Sequence, residues 1–242
     1  MRQVAIFDID GTIARTSLLQ QFVRVLVNRG KIGVGTAQEI DTFLHDFRQK
    51  ISDDEFGPYM GKAVEKMFAG MSSPLTLEEY DDIIDGIVKT SLTNTYVYTR
   101  QLIQSLNRNN YFLIAISGSE LRMVGTYAKA LGFDTWVGKV SYDHDGKKLA
   151  GTVQALPQSK DVILDAIINK YQLDLKGSIA IGDTTSDIPL LEKVDSPIVF
   201  NPNQALFKHA QEKDWMVIVE RKDMVYGLEK DSGKYILTTT NV

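Results

Sequence analysis

"VAIFDIDGTIA", residues 4–14, decides the fold of this chain. Four apolar residues, Val4 to Phe7, run without interruption into two carboxylates, Asp8 and Asp10, that flank one isoleucine. An apolar run that does not alternate with polar residues reads as a strand buried on both faces. In an extended segment alternate side chains share a face, so the two acids point the same way a few ångströms apart. Such a pair is costly unless something positive joins it.

Working outward, similar apolar runs lie near residues 111–116, 178–182, 197–200 and 215–219, with helical patterns near 96–108, 119–131, 160–171 and 186–193 between them. Strand, helix, strand in this order predicts an α/β fold, a Rossmann-like, mostly parallel sheet flanked by helices, joined by right-handed crossovers. Ligands in such sheets sit beyond the carboxyl ends of the strands. Residues 137–142 and 149–153 flank "DHDGKK" and read as a hairpin turning at Asp145-Gly146, and residues 224–242 as another around Asp231, Ser232 and Gly233.

Residues 15–92 break the alternation and carry helical stripes instead: Leu18, Leu19, Phe22, Val23 and Leu26; Ile40, Phe43, Leu44 and Phe47; Phe56, Tyr59, Met60, Ala63 and Met67; Leu77, Tyr80, Ile83, Ile84 and Ile87. Ser52 to Glu55 and Thr76 to Glu79 have capping-box spacing. This is the pattern of a helical domain (15–92) inserted into an α/β core (1–14 and 93–242), placed as a lid over the end of the first strand.

The bulk numbers bound the function. The 242 residues are 43% hydrophobic and carry a net charge of −4, with no dense Lys/Arg run, so nucleic acid is not an expected partner. No uncharged apolar run approaches the roughly 18 residues of a membrane span, and the first strand leaves no room ahead of it for a signal peptide. A cytoplasmic protein without membrane association is the expectation. With no cysteine, disulfides and thiolate chemistry are excluded. His45, His144 and His209 lack metal-ligand spacing, and Trp136 and Trp215 read as packing beside strands.

Polar residues follow each buried run: Asp8 and Asp10 after the first, Ser117-Gly118-Ser119 after "YFLIAI", and Asp183 with Asp187 after "SIAIG"; Lys160 opens a later helical segment. Each has a plain structural reading. "DG" makes turns, Ser117 with Glu120 has the spacing of a helix cap, acids near a helix start suit its dipole, and a lone lysine is usually solvated. Their common placement at strand ends instead suggests a metal and an anionic substrate.

The set resembles the haloacid dehalogenase superfamily of phosphotransferases, in its phosphoserine phosphatase-like branch. "FDIDGT", "IAISGS", Lys160 in "PQSKDVIL" and "IAIGDTTSDIPLL" match its four motifs in order, and "ALGFDTWVGKV", "GKKLAGTV" and "PIVFNPN" are also similar, over roughly residues 3–220. The resemblance implies an all-helical cap of C1 type between the first two motifs, where periodicity independently places the lid. It also implies an Mg²⁺-dependent phosphatase acting on a small phosphorylated metabolite. Asp8 is then the nucleophile that forms an aspartyl-phosphate, and Asp10 the general acid and base. Ser117, Gly118 and Lys160 hold the phosphoryl group. Mg²⁺ sits against Asp8, the Asp10 backbone carbonyl and Asp183, with Asp187 behind them ordering metal water or Lys160. A phosphotransferase or mutase, or a non-catalytic phospholigand-binding protein, are the alternatives. Phosphoserine phosphatases usually carry an acid shortly after the nucleophile, where "IARTSLLQQ" offers Arg15, Thr16, Ser17 and Gln20. Arg15, Arg24 and Arg48 are therefore either solvated or available to a second anionic group.

Overall fold

A computed structural model describes residues 2–49, 56–156, 158–222, 224–231 and 234–239. Among them lies one sheet with strand order β4-β3-β2-β1-β5-β6-β7-β8-β9. Its strands are β1 (Val4–Phe7), β2 (Phe112–Glu120), β3 (Thr135–His144), β4 (Leu149–Ala155), β5 (Ile179–Gly182), β6 (Ser196–Phe200), β7 (Met216–Arg221), β8 (Met224–Asp231) and β9 (Lys234–Thr239). β1 to β3 and β5 to β7 pair in parallel, and β4, β8 and β9 add antiparallel edges. The mostly parallel, Rossmann-like sheet expected from the apolar runs is present.

Both faces of the central strands are covered. Ala5 and Phe7 of β1 pack into a cluster with Leu113 and Ala115, while Val4 and Ile6 pack into a second with Ile114 and Ile116. This period-two division explains why the runs do not alternate with polar residues. Helices α7 (Lys160–Tyr171), α8 (Ile188–Leu191) and α9 (Gln204–Lys213) cover the second face. Helices α5 (Val97–Arg108) and α6 (Leu121–Ala130) cover the first.

Residues between β1 and α5 form α1 (Leu18–Asn28), α2 (Val34–Gln49), α3 (Phe56–Ala69) and α4 (Leu77–Thr93), which join the first cluster. The predicted α1 stripe, Leu18, Leu19, Phe22, Val23 and Leu26, is buried residue for residue. The α4 stripe packs through Tyr80, whose ring meets Phe22 edge-on at 5.7 Å and Tyr142 of β3 at 5.9 Å. The start of α4 is tied to the β3–β4 turn by Leu77 N–H donating to Lys147 O and Leu149 N–H donating to Leu75 O, both at 2.9 Å. Among the described residues no helix is long and apolar enough to cross a membrane.

The capping box at Thr76 forms: Glu79 N–H donates to Thr76 Oγ1 at 3.1 Å, and Thr76 N–H to Glu79 Oε2 at 2.9 Å. Thr76→Ala is expected to cost about 1 kcal/mol of stability, read by urea denaturation. The second predicted box, at Ser52, lies outside the described residues.

The helix start expected near residue 119 is displaced. β2 continues to Glu120, and Glu120 rather than Ser117 caps α6, accepting from Met123 N–H at 2.9 Å. The physical reason is an irregularity in the β2–β3 register between Ser117 and Glu120, where Ser117 Oγ accepts Ser119 N–H at 3.0 Å and keeps the chain extended. The pattern expected over 186–193 resolves into a 3₁₀ turn, Thr185–Asp187, followed by α8.

Candidate active site

β1, β2 and β5 are neighbours, and all three run parallel, so the residues following them meet at one edge of the sheet. Asp8 leaves β1 still held to it, its N–H donating to Ile181 O at 3.0 Å. The chain then turns tightly, with Ile13 and Ala14 N–H groups both donating to Ile9 O at 2.9 Å. Gly11 makes this possible twice over. Its φ is +90°, and a Cβ there would stand 2.1 Å from Asp183 Oδ2.

Lys160, at the first position of α7, places its ammonium 2.5 Å from Asp8 Oδ1 and 2.5 Å from Asp187 Oδ1. All three side chains are buried. The other Asp187 oxygen accepts the N–H groups of Asp183 at 3.1 Å and Thr184 at 3.0 Å, which fixes the turn carrying Asp183. Gly182 lets this turn close, because a Cβ there would lie 2.4 Å from Asp187 Cβ. Thr12 Oγ1 donates to Asp183 Oδ1 at 3.3 Å, linking the β1 and β5 turns.

Asp10 faces a different set of partners. Its Oδ1 accepts Leu18 N–H, the first amide of α1, at 2.6 Å. Its Oδ2 accepts the hydroxyls of Ser117, at 3.0 Å, and Ser119. One carboxylate thus satisfies a helix start and binds it to the end of β2. Residue spacing gives no sign of this, nor of Ser119; both follow from β1 and β2 lying side by side. Gly118 is buried between the two serines.

Carboxylates of Asp8, Asp183 and Asp187 each offer one oxygen, all within 4.8 Å of one another. Burial raises the Asp8 pKa above the ordinary carboxylate range against the Lys160 ammonium, and neighbouring Asp187 and Asp10 add to the rise. Asp183 is raised as well, by burial and by Asp8 and Asp187. Burial would lower Lys160, but Asp187 and Asp8 outweigh it and hold the ammonium above the usual lysine range. Three acids share a single ammonium, so negative charge is in excess, and every donor is a hard oxygen. That donor set fits a divalent cation such as Mg²⁺.

Arg15 is not directed at this cluster. It donates to Thr95 O at 3.2 Å, pairs with the buried Glu220 at the end of β7, and lies over the Tyr96 ring at 4.4 Å. Arg24 is exposed, and the Arg48 side chain lies outside those described. Trp136 and Trp215 pack against the first and second clusters respectively.

The chain was also compared with known proteins. The family model described as haloacid dehalogenase-like hydrolase matches residues 5–192. A histidinol-phosphatase of Neisseria meningitidis is 20% identical over 229 residues, covering 90% of this chain and 99% of that protein. A phosphoserine phosphatase of Mycobacterium tuberculosis is 24% identical over 221 residues, 88% of this chain and 69% of its own. The solved structure of a phospho-aspartyl intermediate analogue of phosphoserine phosphatase superposes with a TM-score of 0.65 at 19% identity, covering 92% of this chain and 95% of that one.

Proposed function

The chain belongs to the haloacid dehalogenase-like hydrolases, and on that premise we propose that it hydrolyses a small phosphomonoester through an aspartyl-phosphate on Asp8. The observation that carries this reading is the Asp8 carboxylate itself: one oxygen is fixed by Lys160 and the residue is buried at the meeting point of three strand ends. The helices of residues 15–92 are its cap, enclosing a substrate of metabolite size and excluding competing water. Relatives named for histidinol phosphate and phosphoserine chemistry agree on the bond and differ on the substrate.

The free oxygen of Asp8 attacks phosphorus as the ester P–O bond breaks, and the departing alkoxide takes its proton from Asp10. Water then attacks the phosphorus of the aspartyl-phosphate and gives a proton back to Asp10, releasing phosphate and the Asp8 carboxylate. Lys160, the Gly118 backbone and Ser117, turning from Asp10, hold the phosphoryl oxygens as charge redistributes. Asp8, the Asp10 backbone carbonyl and Asp183 would hold Mg²⁺, with Asp187 behind them fixing Lys160. When bound, the cation offsets negative charge on nucleophile and phosphate.

The test is phosphate release from a panel of phosphorylated amino acids, sugars, polyols and nucleotides with Mg²⁺ or EDTA. Mg²⁺-dependent release supports the reading, and a folded, metal-loaded protein inert toward the whole panel contradicts it. Asp10→Asn separates the acid role from mere placement. Its kcat on alkyl phosphates is expected to fall about 10²- to 10⁴-fold. On p-nitrophenyl phosphate, whose leaving group needs little protonation, the loss in kcat/KM, which reports formation of the aspartyl-phosphate, is expected to be much smaller, while kcat still falls because Asp10 also serves the water step.

A further inference from the structure

Lys139 is a half-buried cation with no counter-ion among the described residues. It sits on β3 between Gly138, the strand partner of Ser117, and Val140, the partner of Glu120. It therefore borders the irregular stretch of β2 that contains Gly118. β3 presses closely there, since a Cβ on Gly138 would stand 2.8 Å from Ser119 O.

Alternation along β3 fixes which side of the sheet Lys139 occupies. Val140 and Tyr142 join the first cluster, and Val137 packs in the second, with Ile163 and Leu164 of α7. Lys139 follows Val137 by two residues, toward the carboxyl end of the strand, and so shares the α7 face. Lys160 opens α7 at that same end. Burial and the neighbouring Lys160 ammonium both depress the Lys139 pKa below the ordinary lysine range.

The two lysines differ in how their charge is met. Lys160 is matched by Asp8 and Asp187. Some exposed lysines elsewhere have acidic partners, as Lys66 has Glu39 and Lys213 has Glu192. Lys139 is partly desolvated beside a like charge and has no acidic partner among the described residues, an arrangement that costs stability unless an anion arrives.

We propose that Lys139 recognises a second anionic group, a carboxylate or a further phosphoryl group, on the phosphomonoester bound at Asp8. The assignment rests on the phosphomonoesterase reading and narrows it to substrates with two anionic ends. It also places the second anion's partner on the core strand β3, whereas Arg15, near the first motif, is occupied by Glu220.

Binding tests this without turnover. Calorimetric titration of the Mg²⁺-loaded protein with propylphosphonate, phosphonopropionate and propylene bisphosphonate, whose P–C bonds resist hydrolysis, compares ligands with one and two anionic ends. At least one doubly anionic ligand is expected to bind about tenfold or more tightly than propylphosphonate, the worth of one charge-assisted hydrogen bond. Which of the two gains identifies the second group. Adding Lys139→Gln is expected to bring that ratio close to one, and Lys139→Arg to retain most of it, while Lys176→Gln at the opposite end of the sheet leaves it as it was. Equal binding of all three ligands by the parent, or a preference that survives Lys139→Gln, overturns the assignment and leaves the phosphatase reading standing if phosphate release is intact. No binding of any ligand together with no phosphate release overturns both.

Discussion

Asp8→Asn is expected to lower phosphate release by at least about 10⁴-fold, as for removal of a nucleophile, while the protein remains folded. Asparagine keeps the shape of the side chain and removes the attacking oxygen's charge. The fold should tolerate it because Lys160 still pairs with Asp187 at 2.5 Å. The exchange also reduces a cluster of three carboxylates beside one ammonium to two. Thermal unfolding in EDTA is therefore expected to show no large fall in Tm. A variant that loses activity because it unfolds would not bear on the chemistry, and one that is folded and active would remove Asp8 from it.

The largest stability loss is expected outside the acidic cluster, at Glu220. Its buried carboxylate pairs with Arg15 and also accepts the N–H groups of Val97 at 3.0 Å and Tyr98 at 2.9 Å, the first amides of α5. One acid on β7 therefore holds a helix start and the residue that follows the first-motif turn. Glu220→Ala leaves a partly buried guanidinium unpaired and two helix amides without acceptors. A loss of about 3–5 kcal/mol is expected, read by urea denaturation. Arg15→Ala should cost less, because Glu220 keeps both amides. A loss below about 1 kcal/mol for Glu220→Ala, the scale of an exposed pair, would contradict this account.

The central sheet was legible because strands covered on both faces must be apolar throughout, as residues 4–7 and 179–182 are. The α1 stripe and the Thr76 box were legible because helix periodicity and capping are local. Placing Asp8, Asp10, Ser117, Asp183 and Asp187 at one edge needed only the inference that their strands run parallel. What was hidden depends on tertiary contact. "SGSE" has the spacing of a cap, yet Ser117 turns its hydroxyl to Asp10 and Glu120 takes the helix. Glu220 reads in the chain as an ordinary charge at a strand end. Arg15 near the first motif suggested either solvent or a second anion, and its actual partner lies 205 residues away.

The most direct measurement of the central claim is acid quenching of the Mg²⁺-loaded protein during turnover of the best substrate from the panel, followed by mass spectrometry of its peptides. A phosphoryl group on Asp8, absent from Asp8→Asn and lost on longer incubation after substrate is exhausted, is the predicted result. Phosphate released at the full rate with no phosphorylated Asp8 at any quench time, even when hydrolysis is slowed by Asp10→Asn, would contradict a covalent path through Asp8.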